Sequence, residues 1–235
     1  VLNNSGFLFT ETFVVPEAFD KAMVKPASDL PVDKFKFDTS FNFLIVGQIT
    51  GHNPESDRKN IYNTIKWFCE VFGDDPDVGL ILKTNNGRNT KIDRMITEQL
   101  LKTIISNVRK DKKYPKIHLV HGLMTDDEMA ALYKHPSVKC LLTLTRGEGF
   151  NIPALEAAAS GLPVIATNWS GHLDFLNKGK FIKINYSLEK IHQSRVDNQI
   201  FMPDAQWADP IEIDAKLRMK KFRSSNSMPL QWAKE

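Results

Sequence analysis

The stretch TRGEGFNIPALEAAASGLPVIAT, residues 145–167, decides the fold of this chain. It follows the apolar run VKCLLTL at 138–144, opens with a glycine-rich turn, and continues through alanines, with Pro153 where the first turn of a helix is expected. The triplet GLP at 161–163 ends the helical pattern, and PVIAT returns to a β-type run. A strand, a turn, a helix and a strand in this order are typical of a parallel sheet covered by helices.

The same alternation extends over most of the chain. Helical spacing of apolar residues occurs at 59–72 and 91–109, and a third helix is predicted after Thr125, which has the spacing of a capping box with Glu128. The predicted strands are 41–47, 78–84, 116–120, 138–144, 163–167 and 180–184. Four of them are nearly continuous apolar runs, as expected when both faces of a sheet are covered. We therefore predict an α/β fold with a Rossmann-like, doubly wound parallel sheet.

Three segments depart from this rhythm. Prolines interrupt residues 1–40, in which only TFVVP resembles a strand, so we predict a linker arm there and a single domain over 41–235. The polar residues 185–208 predict a long loop. Asp209-Pro210 reads as the N-cap and first turn of a late helix.

The composition narrows the class of protein. The 235 residues can bury a substantial core, and 42% hydrophobic with 25% charged residues is ordinary for a globular domain. A net charge of +3 is too small to indicate nucleic-acid binding, and no apolar run approaches the roughly 18 residues that span a bilayer. We expect a soluble, cytoplasmic protein. Cys69 and Cys140 read as buried small hydrophobes in a reducing compartment. Because the chain begins with Val1, we expect the whole protein to be longer.

Two glutamates, Glu148 and Glu156, flank the turn and the first part of the helix that follows it. The turn lies at the carboxyl end of a parallel strand, where open α/β sheets bind ligands. Glycines let the backbone approach a ligand, and the free N–H groups of a helix start favour phosphate. Carboxylates accept hydrogen bonds from vicinal hydroxyls. A sugar nucleotide, with a diol at each end and phosphates between them, fits this arrangement.

The same residues allow other interpretations. Glu156 as a solvated helical residue and Glu148 as a loop carboxylate stay open. A glycosidase pair is disfavoured, because its carboxylates flank the scissile bond from opposite sides. The first strand is followed by no GxGxxG, which excludes a dinucleotide-dependent oxidoreductase, and no GxxxxGK[ST] is present, which disfavours a P-loop NTPase.

Histidines and aromatic residues near the turn invite further hypotheses. The six histidines lack the i, i+4 pairing of a zinc site, so we predict no bound metal. His121 and His172 stay open as polar contacts in the cleft. For Trp169 and Phe175, packing of a helix onto the sheet is favoured over stacking on a base.

Residues 148–156, EGFNIPALE, followed by AAASGLPVIAT, resemble the E-x7-E motif of retaining GT-B glycosyltransferases, especially those of family four. Further segments are similar in order: Phe43–Gly47 with Arg58-Lys59-Asn60, VHGL at 120–123 with DDE at 126–128, and WADP at 207–210. Residues 12–20 resemble the connection between the two domains of that fold. The resemblance covers most of the chain as the C-terminal, donor-binding half.

The resemblance implies a role for each matching position. Lys59, with Arg58, would neutralise the diphosphate of the leaving group as the glycosidic bond breaks. Glu148 would hold sugar hydroxyls, and Glu156 would accept from the ribose diol. Lys59 and Glu148 are the implied catalytic residues. Backbone atoms would complete the site, reaching the sugar, the phosphates and the base from Gly149, Phe150, Asn151, Ile152, Gly122 and Leu123.

One position departs from the family pattern. Many relatives carry an arginine after the glycine that closes the first strand, whereas Gly47 is followed here by Gln48, a neutral donor. The missing charge then comes from Arg58, Lys83 or Arg146, or donor binding is weaker. For Lys83, a ligand contact and a solvated lysine at a strand end are both open.

The implied activity is retaining, metal-independent transfer from a nucleoside-diphosphate sugar, without a further cofactor, in polysaccharide or glycoconjugate biosynthesis. The acceptor, whether glycan, lipid or protein, would lie against an N-terminal domain outside this chain, from which residues 1–40 lead. The full protein could then be peripheral at a membrane. The alternative is a non-catalytic nucleotide-sugar-binding or scaffold domain of the same fold, which Gln48 favours and Glu148, Glu156 and Lys59 oppose.

Overall fold

A six-stranded, all-parallel sheet forms the centre of the computed structural model, which describes residues 11, 13, 15–51, 53–109 and 113–234. The strands follow one another in the order β3-β2-β1-β4-β5-β6 across the sheet, and every adjacent pair is parallel. Their bounds are β1 Phe41–Val46, β2 Val78–Thr84, β3 Lys116–His121, β4 Val138–Thr143, β5 Val164–Thr167 and β6 Ile182–Ile184. All six predicted strands are confirmed, and so is the α/β, doubly wound class.

Helices cover both faces of the sheet. One face packs against α1, α2 and α6 through a core centred on phenylalanines such as Phe43 and Phe68, and the other packs against α3, α4 and α5. The helices are α1 Ile61–Phe72, α2 Lys91–Arg109, α3 Asp126–Tyr133, α4 Ile152–Ala159, α5 Leu173–Leu176, α6 Glu212–Ser224 and α7 Ser227–Trp232. The predicted capping box of α3 is present, with Thr125 and Glu128 each bonding the other's backbone N–H. Cys69 and Cys140 are buried and free of disulfides, as predicted.

The direction in which the chain adds strands to the sheet reverses between β1 and β4. From β1 the chain winds outward through β2 and β3, then returns to β4 on the other side and continues through β5 and β6. The connections after β1 and β4 therefore leave the carboxyl edge toward opposite faces and open a crevice between them. The residues 145–149 predicted to bind a ligand follow β4 at this point.

The arm before β1 packs against the domain. Its described part contains short 3-10 helices at Lys21–Val24, Ala27–Asp29 and Val32–Lys34. Ala22 and Met23 are buried in the core that includes α3 and α4. Residues 12 and 14, which belong to the expected interdomain connection and to the strand-like TFVVP, lie outside the described residues. The division at residue 40 stays a prediction.

A two-stranded antiparallel sheet corrects the prediction for residues 185–210. Its strands are β7 Tyr186–Lys190 and β8 Gln206–Pro210, where a long loop and then a helix start were predicted. The late helix, α6, begins only at Glu212, with Ile211 as N-cap. Asp209 does not cap it, because its backbone pairs with β7 and its carboxylate accepts a hydrogen bond from Arg146.

Candidate functional site

The loop before α1 holds two neighbouring cations, Arg58 and Lys59, in a fixed backbone conformation. Asp57, fully buried, organises the loop. Its Oδ2 accepts from the Ile61 N–H at 2.6 Å, and its Oδ1 accepts from the Lys59 N–H at 3.2 Å and the Thr50 hydroxyl at 3.0 Å. One carboxylate thus ties the first turn of α1 to the residues just before it, which orients the two cationic side chains toward the crevice.

Glu148 lies between these cations. Its Oε1 accepts from Lys59 Nζ at 2.6 Å, and its Oε2 accepts from Arg58 Nη1 at 2.9 Å. The exposed fraction of the side chain is 7% for Glu148, 20% for Lys59 and 27% for Arg58. The group is therefore largely shielded from solvent, and its cations are more accessible than its carboxylate. The structure therefore brings together three of the predicted site residues, from two connections at the carboxyl edge.

Electrostatics keep Glu148 ionised. Burial alone would raise the pKa of its carboxyl, but attraction and hydrogen bonds from Lys59 and Arg58 outweigh burial and hold the pKa below the ordinary 4.5. A carboxylate in this position can accept hydrogen bonds from hydroxyl groups at neutral pH. The two cations beside it can bind an anion.

The connection after β5 fixes the backbone of Glu148. Ser170 Oγ donates to the Glu148 carbonyl at 2.6 Å and accepts from the Glu148 N–H at 2.7 Å, while the Gly171 N–H donates to the same carbonyl at 3.2 Å. The contact is so close that a Cβ at position 171 would lie 1.9 Å from the Gly149 carbonyl oxygen. We call Ser170 and Gly171 the clasp. It ties the backbone of Glu148 to the connection after β5.

The start of α4 offers backbone donors beside the ion group. Asn151, in the left-handed conformation at φ 76°, precedes the helix, and its side chain does not cap it. Within the described residues, no protein acceptor is assigned to the N–H groups of Gly149, Phe150, Asn151 and Ile152. Such N–H groups carry the partial positive charge of a helix start and suit an anion or a hydroxyl oxygen. A Cβ at Gly149 would meet open space.

Glu156 has a different environment on the second turn of α4. Its Oε2 accepts from the hydroxyl of Tyr133, at the end of α3, at 2.9 Å. Burial raises the pKa of its carboxyl, the hydrogen bond from Tyr133 offsets part of that rise, and the negative charges of Asp126 and Asp20 add to it. It is therefore no freely solvated helical carboxylate. Among the described residues no cation pairs with it.

Lys83 links two connections at the carboxyl edge. Its Nζ donates to Asn85 Oδ1 and to the carbonyl of Gly122, both at 2.7 Å, and burial lowers its pKa. Lys83 is therefore not a solvated strand-end lysine. Gly122, at φ 112°, needs a conformation that glycine adopts readily, and the side chain of Leu123 is 79% exposed.

Gln48 is exposed and lines a depression of about 100 Å³ with residues 84–87 of the next connection. Its amide brings no charge to the crevice.

Arg146 links the connection after β4 to strand β8 of the β7–β8 hairpin. Its guanidinium donates to Asp209 at 2.5 Å and to the carbonyls of Pro54 at 2.7 Å and Asp57 at 3.1 Å. It also lies 4.9 Å from the centre of the Trp207 ring. These contacts account for a buried arginine in structural terms, so a role as phosphate ligand for Arg146 stays a prediction that the geometry does not favour.

Residues that sequence reasoning missed give the site its shape. Asp57, Ser170 and Gly171 carry no pattern of their own in the sequence, and Tyr133 reads as one more apolar position of an amphipathic helix. Of the open aromatic assignments, Phe175 packs against Phe150 with ring centres 5.2 Å apart, and Trp169 packs against Tyr186 at 5.1 Å.

The two histidines considered for the cleft differ in their surroundings. His172 is fully buried, its Nε2 lies 2.7 Å from the Thr167 carbonyl, and burial lowers its pKa. Burial also lowers the pKa of His121, whose Nε2 has no partner among the described residues.

Two other features are absent from the described residues. No group of three or more histidine, cysteine, aspartate or glutamate side chains is arranged there to hold a metal ion. The helices of the same residues include none with the length and apolar character needed to cross a bilayer.

Comparison with known proteins shows which domains this chain is similar to. Residues 98–194 match the sequence profile of the family described as Glycosyl transferases group 1. The crystal structure of the C-terminal domain of a glycosyl transferase group 1 family protein from Francisella tularensis has the same fold, with a TM-score of 0.54 at 18% identity over 86% of this chain and 84% of that one. The profile match over residues 98–194 and the shared fold support a C-terminal domain of the glycosyl transferases group 1 type.

Two curated proteins are similar in sequence to this domain. One is an MMP alpha-(1->4)-mannosyltransferase of Mycolicibacterium hassiacum, 35% identical over 39% of this chain and 18% of that protein. The other is a sucrose synthase of Melioribacter roseus, 24% identical over 74% of this chain and 23% of that protein. The chain thus spans about a fifth of the length of these relatives. The match to the family profile, residues 98–194, includes Glu148 and Glu156 but begins after Lys59.

Proposed function

We propose that this domain binds a nucleoside-diphosphate sugar across the β1–β4 crevice and presents it for retaining, metal-independent glycosyl transfer. The observation that carries the proposal is the grouping of Arg58 and Lys59 around Glu148 at the start of α4. A site for such a donor needs cations for the diphosphate and an acceptor for sugar hydroxyls within one ligand length. This group supplies both.

In this proposal the cations act on the leaving group. When the glycosidic bond breaks, negative charge accumulates on the departing diphosphate, and Lys59 and Arg58 are positioned to stabilise it. The free N–H groups of residues 149–152 add further donors at the helix start. Glu148 holds hydroxyls of the transferred sugar, and Glu156 accepts from the ribose at the other end. Gly122 and Leu123 contact the base through backbone atoms.

The acceptor lies outside this site in the proposal. It is a glycan, lipid or protein held by an N-terminal domain that this chain does not contain, so the domain alone binds donor and transfers little or nothing. Its coverage of about a fifth of each curated relative is consistent with a role as one part of a larger enzyme.

Isothermal titration calorimetry with UDP, GDP and ADP, each free and as its glucose and mannose conjugates where these exist, tests the proposal. We expect one of the three nucleotides to bind with micromolar to submillimolar affinity in the absence of divalent cations and in the presence of EDTA. No binding of any of them at millimolar concentration would overturn the proposal.

A second function rests on the neutral Gln48. A domain that keeps the fold but has lost its donor would serve as a scaffold, and an uncharged residue at this position favours that role. The two functions differ in the titration, because only the donor-binding domain responds to nucleotide.

A further inference from the structure

Tyr133 lies directly behind the carboxylate proposed to bind ribose. It ends α3 and is 1% exposed, and its phenol is the protein donor to Glu156 Oε2 at 2.9 Å. Burial and the neighbouring negative charge raise the pKa of Tyr133 well above its ordinary 10.0. The phenol therefore keeps its proton throughout the physiological range, and it acts on Glu156 only as a donor.

The two oxygens of Glu156 are consequently not equivalent. Oε2 is held by a buried hydroxyl, whereas no protein donor is assigned to Oε1 among the described residues. A half-buried carboxylate that no cation neutralises costs folding free energy, and a ligand that donates to Oε1 would offset part of that cost. One fixed oxygen and one unused oxygen match the geometry of a carboxylate that receives a ligand hydroxyl.

We infer that Tyr133 is a positioning residue for ribose recognition, which fixes the Glu156 carboxylate so that Oε1 faces the ribose diol. The inference rests on the proposed function, since it needs a nucleotide in the crevice. It adds that discrimination between ribose and 2′-deoxyribose depends on a residue that does not touch the ligand. If the hydrogen bond served only to give the buried phenol an acceptor, removal of the phenol would leave the discrimination between ribose and 2′-deoxyribose unchanged.

The experiment measures the ratio of Kd for a 2′-deoxynucleoside diphosphate to Kd for its ribo form, using UDP, GDP and ADP and their 2′-deoxy counterparts. In the native chain we expect a ratio of roughly 10 or more, since a hydrogen bond to a charged group contributes on that scale. In Tyr133→Phe the ratio should fall at least threefold, because binding of the ribo form weakens more than binding of the deoxy form, which keeps only its 3′-hydroxyl. Tyr62→Phe, on α1, is the matched control and should keep the native ratio.

Glu156→Gln gives a second readout of orientation. Because the buried phenol needs an acceptor, Tyr133 should hold the amide oxygen and turn the amide NH2 toward the ribose, where it makes only a neutral hydrogen bond to a hydroxyl, so the ratio should fall at least threefold. In the double variant Tyr133→Phe with Glu156→Gln, the carboxylate through which Tyr133 acts is already gone, so removal of the phenol should change the ratio less than it does in the native chain. A structural role for Tyr133 that is independent of Glu156 would change the ratio equally in both backgrounds.

Each outcome has a definite meaning. Equal loss of affinity for both sugar forms in Tyr133→Phe, or a ratio that stays native, would overturn the inference while leaving the proposed function standing. If the native chain binds no nucleoside diphosphate, the proposed function fails and this inference fails with it. Should Tyr133→Phe fail to fold, a native ratio in Glu156→Gln alone would still refute the fixed orientation.

Discussion

The two glutamates that bracket the start of α4 lie on the same short segment but in opposite electrostatic settings. Glu148 is held by Lys59 and Arg58, and its pKa lies below the ordinary value. Glu156 is held by the neutral phenol of Tyr133, with Asp126 and Asp20 nearby, and its pKa lies above it. The spacing of the two glutamates in the sequence therefore does not predict the role of each carboxylate. That role depends on the side chains that the fold places next to each one.

The difference has a consequence for the two ends of the ligand. At the Glu148 end, a bound diphosphate competes with the carboxylate for the same cations, so binding there exchanges one anion for another. At the Glu156 end, ribose hydroxyls supply donors that the protein does not. In the proposed site, Glu148 is already stabilised by the protein, whereas Glu156 is stabilised by the ligand.

The largest expected effect is on the cationic side of this comparison. Lys59→Ala should weaken nucleoside-diphosphate binding by about 30-fold or more, because loss of a shielded charge contact costs about 2 kcal/mol or more. Calorimetric titration measures it, and Lys102→Ala, an exposed lysine on α2, is the control. Affinity that does not change in Lys59→Ala would show that Lys59 does not contact the diphosphate and would contradict the proposed cationic side of the site.

A somewhat smaller effect is expected where the clasp meets the Glu148 loop. Gly171→Ala places a methyl group against the Gly149 carbonyl and should reduce the free energy of unfolding by about 1–3 kcal/mol, as overpacking does. Urea denaturation measures the loss. Gly149→Ala is the matched control, since its methyl group meets open space, and its stability should be unchanged or slightly higher. Equal stability of both variants would show that the clasp is not a constraint.

The smallest effect is expected at Glu156, and it tests the comparison because its sign should be opposite to that at Glu148. At pH 7, Glu148→Gln should destabilise the fold by about 1–3 kcal/mol, because it leaves two shielded cations without their anion. Glu156→Gln should stabilise it by about 0.5–1 kcal/mol, because it removes a half-buried charge and keeps an acceptor for Tyr133. Denaturation curves at several pH values measure both.

The pH dependence follows from the direction of each shift. The lowered pKa of Glu148 gives stability that is present above the unfolded value near 4.5 and is lost as pH falls through the folded pKa. The raised pKa of Glu156 gives stability that is present below 4.5 and is lost as pH rises through the folded pKa. The gain in Glu156→Gln should therefore shrink in acid. A loss of stability in that variant at pH 7 would contradict the assigned environment.

The sheet could be predicted from sequence because most of its strands are nearly continuous apolar runs. Runs such as FNFLIV and VGLILKT have few other uses in a globular domain, and the structure places both at the centre of the sheet. The β7–β8 hairpin could not be predicted in the same way. Its strand β7 is mostly exposed and lacks a clear alternation, so only its pairing with β8 reveals it.

Site residues could be predicted where they belong to a local sequence pattern. Residues that reach the site only through tertiary contacts could not. The pair Arg58-Lys59 and the two glutamates stand out as charged residues beside glycines and helix starts. Arg146 stood out for the same reason, yet its charge is used by Asp209 and backbone carbonyls. Tyr133 is 23 residues from Glu156, and nothing along the chain links them before the helices pack.

The clasp also limits what protein engineering can move. Ser170 and Gly171 belong to the connection after β5, whereas the residue they orient belongs to the connection after β4. Transplanting residues 145–156 into another scaffold would carry the recognisable motif without the backbone support that aligns it. A functional graft would therefore have to include the whole unit from β4 through α5.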